Sequence, residues 1–91
     1  MKWLEVIRLR SAGKSRGLLQ EFLESLGQTK QDGLVAMRTY HHGALETDVA
    51  LHLHWESKRP EKNGSSLGIR LAQGLKEFGL TDHSVWIEER G

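Results

Sequence analysis

The stretch DVALHLHWE, residues 48–56, alternates without a break. Val49, Leu51, Leu53 and Trp55 fall on one parity; Asp48, Ala50, His52, His54 and Glu56 fall on the other. Successive side chains of a strand point to opposite faces, so these nine residues read as a strand with one buried side and one wetter side. A slip of one residue would bury two imidazoles and expose a Trp and three aliphatic side chains, which holds the facing in place.

Upstream, Leu34–His41 reads as a second strand, joined to the first by a turn around Gly43, Ala44, Leu45 and Glu46. His41 and His42 flank that turn. Nearer the N-terminus, Trp3–Arg10 is rich in branched and aromatic residues. Trp3, Ile7 and Leu9 share one parity there; Leu4, Val6, Arg8 and Arg10 share the other. Leu18, Leu19, Phe22, Leu23 and Leu26 then recur as a helical stripe, with Ser15 as the expected N-cap and Gly27 as the expected left-handed terminator.

Downstream, the loop SKRPEKNGSS, residues 57–66, leads to a second helix capped by Ser65 or Ser66. Leu67, Leu71, Ala72, Leu75 and Phe78 are its apolar side, and Gly79 ends it. Gly68 and Gly74 each cost this helix about 1 kcal/mol relative to Ala, which suits a helix that must approach a sheet closely. A last strand is expected from His83 to Glu89, with Val85 and Ile87 opposed to Trp86 and Glu88. His83 follows Asp82, a carboxylate that could orient its ring.

The resulting order, β-α-β-β-α-β, is the ferredoxin-like α+β arrangement. Right-handed crossovers place both helices on one face of a four-stranded antiparallel sheet and leave the other face open. Residues 1–91 are read as a single domain of this kind, since the chain is long enough for one core only.

Composition narrows the functional classes. With no cysteine, disulfides, thiolate metal sites and Cys nucleophiles are excluded. Thirteen basic residues face twelve acidic ones, for a net charge of +1, so no basic footprint for nucleic acid is present. No stretch approaches the ~20 apolar residues of a membrane span. A cytoplasmic protein without nucleic-acid or membrane partners is the expectation.

If Val35 and Met37 face the helices, the open face carries Arg8, Arg38, Tyr40, His52, His54 and Trp86, together with Leu4, Val6, Ala36 and Glu88. A solvated sheet face would show more Thr, Lys and Glu. This mixture points to cover by a second copy, by a ligand, or by both. Those six polar and aromatic residues are the candidate ligand contacts.

The element order, the length and the strand ALHLHWES ending in Trp resemble the dimeric α+β barrel superfamily, which includes antibiotic-biosynthesis-type monooxygenases. The resemblance spans residues 3–89. It implies two open sheet faces meeting around a barrel that often holds an aromatic or quinone-like ligand. Enzymes of that family often place an Asn in the first strand. WLEVIRLR has none, so no catalytic residue is carried over.

Three other readings use specific residues. His52, His54 and Glu56 lie on one side of a strand and could ligate a metal, although no cofactor is expected. A structural protein associating through its sheet would need no pocket at all. AGKS, residues 12–15, has the tail of a phosphate loop, but Arg8 stands where that motif needs glycine. A basic turn with Lys14, Ser15 and Arg16 at a helix start is what remains of it.

Overall fold

The computed structural model describes residues 1–11 and 16–89. The elements are β1 (Lys2–Ser11), α1 (Arg16–Ser25), β2 (Leu34–His41), β3 (Asp48–Glu56), α2 (Ser66–Leu75) and β4 (Gly79–Ile87). A short 3-10 turn follows each helix. The strands form one antiparallel sheet in the order β2-β3-β1-β4. The AGKS segment and the expected Ser15 cap lie outside the described residues.

The alternation of β3 is realised as read. Val49, Leu51, Leu53 and Trp55 are buried, and Trp3, Ile7 and Leu9 of β1 pair beside them on the same side. Leu19 and Leu23 of α1 and Leu67, Leu71, Ala72 and Leu75 of α2 complete this core. The Trp3 and Trp55 rings stack at 5.3 Å, and the Trp3 indole N–H donates to Ser57 Oγ.

Four expectations are corrected. Leu18, placed in the α1 stripe, is 62% exposed. It sits at the margin of the stripe, which Leu19 and Leu23 occupy. Gly27 lies inside the 3-10 turn Leu26–Gln28 and does not take a positive φ. The last strand starts at Gly79, earlier than His83, because Gly79 pairs with Ser11 and a Cβ there would collide with the Arg10 carbonyl. Val35 does not face the helices. Leu34 pairs with Trp55 and Ala36 with His54, so Val35 is the extra residue of a β-bulge and stands 66% exposed.

One inward residue of β1 is charged. Glu5 is 0% exposed, between Trp3 and Ile7 on the core side. Its carboxylate accepts from the Ser65 backbone N–H at 3.2 Å, from the Ser65 hydroxyl, and from His83 Nε2 at 2.7 Å. The Ser65 hydroxyl also accepts from the Gly68 N–H and so caps α2. Glu5 therefore ties the α2 N-terminus to β1 and β4, and the helix dipole favours a negative charge there. Gly68 makes room for it: a Cβ at that position would overlap Glu5 Oε2 and lie 2.6 Å from Cδ. His83 is thus oriented by Glu5, 78 residues away. Asp82 instead holds Arg8.

Candidate functional site

Strand register builds the open face as four rungs. The first runs Ala36–His54–Leu4–Trp86, and the second runs Arg38–His52–Val6–Ser84. The third runs Tyr40–Ala50–Arg8–Asp82. The fourth holds Asp48, Arg10 and Leu80. All six candidate contacts, Arg8, Arg38, Tyr40, His52, His54 and Trp86, therefore share this face.

Exposed apolar side chains stand at both ends of the face. Trp86 is 62% exposed and Leu80 is 77% exposed, at opposite ends of β4. The Trp86 indole N–H donates to Ser84 Oγ at 2.9 Å. A cleft of about 460 Å³ lies at the first-rung end, lined by Leu4, Val35, His54, Trp86 and Ile87 among others. A second cleft of about 360 Å³ lies over the third and fourth rungs, lined by Arg8, Arg10, Tyr40, His41, Leu80 and Asp82 among others. Both fall in the size range of small-molecule sites.

His52 stands between the clefts, next to His54 at the edge of the first. The His52 ring lies 4.6 Å from Tyr40 and 6.3 Å from His54, centroid to centroid. Burial lowers the His52 pKa from its ordinary value, and the neighbouring His54 lowers it further. His54 Nε2 is shielded from solvent and has no hydrogen-bond partner among the described residues. Such an atom is costly unless something pairs with it.

The charges are unevenly matched. Arg8 binds Asp82 through Nε at 3.2 Å and Nη2 at 2.8 Å. Arg10 Nε lies 3.7 Å from Asp48. Arg38 makes no ion pair among the described residues. Glu56 stands exposed at the end of β3, opposite Lys2. No three His, Asp or Glu side chains among the described residues come together in a way that would hold a metal ion. His42 serves the turn: its Nδ1 accepts from the N–H groups of Ala44 and Leu45.

No family model matches this chain, and no curated protein matches it significantly. Two solved structures share its architecture. The structure of Rv0793 from Mycobacterium tuberculosis aligns over 100% of this chain and 98% of its own, with a TM-score of 0.73 at 15% identity. A dimeric ferredoxin-like protein from an uncultured marine organism aligns over 98% of this chain and 90% of its own, with a TM-score of 0.55 at 18% identity. The fold is ferredoxin-like. Both alignments span nearly the whole chain, so the arrangement of strands and helices is the shared architecture. No helix is long and apolar enough to cross a membrane among the described residues.

Proposed function

We propose that two copies of this chain associate through their open sheet faces and enclose a small organic ligand, aromatic in part, between them. The observation that carries this reading is the join of exposed Trp86 and Leu80 to the Tyr40–His52–His54 cluster on one face. Four strands ~4.8 Å apart and about nine residues long offer roughly 500–600 Å² per copy. Two such faces would bury about 1,100 Å², just above the ~1,000 Å² expected of a specific interface. The marine protein of the same fold is dimeric, which supports association of two copies. The two clefts favour a ligand over a flat, purely structural contact. Any chemistry there would fall to His52 and His54 as proton carriers and Arg38 as the counter-charge to a developing anion.

The test uses two bicyclic probes, 2-naphthoate and neutral 2-naphthamide, followed through the imidazole NMR signals of His52 and His54. Saturable shifts from either probe, reduced by Trp86→Ala, support the reading. No shift from either probe at millimolar concentration refutes it.

A further inference from the structure

We infer that the ligand of this face carries a negative charge: a small organic anion whose carboxylate or ionised hydroxyl sits against Arg38 and the His52–His54 pair. This rests on the association proposed above and names the ligand class of that site.

The inference follows from charge matching, rung by rung. The third rung holds Arg8 against Asp82, joined by two hydrogen bonds. The fourth holds Arg10 against Asp48. Beyond the first rung, Lys2 pairs in register with Glu56, and its carbonyl accepts from the Glu88 N–H. Each of these ends therefore carries its own acids. The second rung does not. Arg38 lies opposite His52, and the remaining members of that rung are Val6 and Ser84. Asp48 and Glu56 each stand four residues from His52 along β3, or ~13 Å at the usual strand rise. Asp82 is three strands away from Arg38 across the sheet and is already engaged by Arg8.

Closing a second copy over this face removes the water that now solvates Arg38. Each copy would bring one Arg38 and one His52–His54 pair into the enclosed space. Charge buried without a partner is strongly unfavourable. An anion between the copies removes that penalty. Tyr40, 4.6 Å from the His52 ring, adds a hydroxyl and an aromatic edge beside the same position. A neutral ligand of the same shape would leave the arginines unmatched.

The experiment measures affinity for 2-naphthoate and 2-naphthamide at pH 7 and low salt, on the wild type, Arg38→Gln and Arg70→Gln. Arg70 lies on α2, behind the sheet, and its loss removes the same charge without touching the face. The expected result is at least tenfold tighter binding of the anion, a preference that collapses in Arg38→Gln, persists in Arg70→Gln and weakens with added salt. Equal affinity for the two probes, or an anion preference unchanged in Arg38→Gln, overturns the inference while leaving a ligand-binding face intact. Failure of both probes to bind overturns the inference together with the reading beneath it.

Discussion

Replacing Glu5 tests how this small core is held together. Its carboxylate is wholly buried and receives three donors: the Ser65 N–H, the Ser65 hydroxyl and His83 Nε2. Glu5→Ala leaves all three without an acceptor. Each stranded donor costs about 1–3 kcal/mol, though small shifts and entering water recover part of it. Breaking a buried charged pair by removing one partner costs about 3–5 kcal/mol, and that range is the expected loss here. Against the roughly 5–14 kcal/mol total of a chain this size, such a loss is large. Glu5→Gln keeps the volume but turns an amide N–H₂ toward groups that themselves donate. It should cost about 1–2 kcal/mol, clearly less than Ala. Urea unfolding followed by Trp fluorescence, at one fixed protein concentration, reads both. For a slope near the low end of ~1–3 kcal/mol per M, the Glu5→Ala midpoint should fall by roughly 2–4 M. A Glu5→Ala protein within 1 kcal/mol of wild type, or a Gln variant as unstable as the Ala variant, would refute this assignment.

Further expectations concern its neighbours and the two faces. Gly68→Ala should destabilise by about 2 kcal/mol or more despite the better helix propensity of Ala, because its Cβ would overlap the Glu5 carboxyl; in the Glu5→Ala background the same change should be neutral or stabilising, and additive losses in the urea midpoints would contradict the contact. Trp55→Ala should cost about 3–5 kcal/mol as a core truncation, whereas Trp86→Ala should leave unfolding of the isolated chain within about 1 kcal/mol; similar losses in calorimetry at low concentration would mean that Trp86 is a core residue. His52 has a lowered pKa in the folded state, from burial first and from His54 second. The unfolded state then binds more protons on acidification, so this stability is fully present above the ordinary histidine pKa near ~6.5 and is lost as pH falls through that value toward the folded one. The fall in urea midpoint between pH 7.5 and 5.5 should be smaller in His52→Gln; an equal fall would show that His52 makes no contribution.

What could be read from residues alone follows from where periodicity is strong. β3 alternates over nine residues, and its bounds and facing both emerge directly. The facing of β2 was less legible, and only its register with β3 sets Arg38 and Tyr40 on the side of His52; Trp86, on β4, follows from its own alternation with Val85 and Ile87. Val35 was misplaced because a bulge shifts register without any glycine to mark it. Glu5 was legible in part: it shares the parity of Trp3, Ile7 and Leu9, and a charged residue there demands a partner. The partners were not legible, since Ser65 and His83 lie 60 and 78 residues away and meet only in three dimensions. The charge matching of the open face was hidden for the same reason. Arg8, Arg10 and Arg38 look alike in sequence, and only cross-strand register gives the first two their acids.

Sedimentation equilibrium across the micromolar range tests face-to-face association most directly. The chain has a mass of 10.3 kDa. Association through the open face predicts a species of twice that mass at micromolar concentration, shifted toward monomer by Trp86→Ala. A single 10.3 kDa species up to high micromolar protein, or a dimer indifferent to Trp86→Ala, would contradict it.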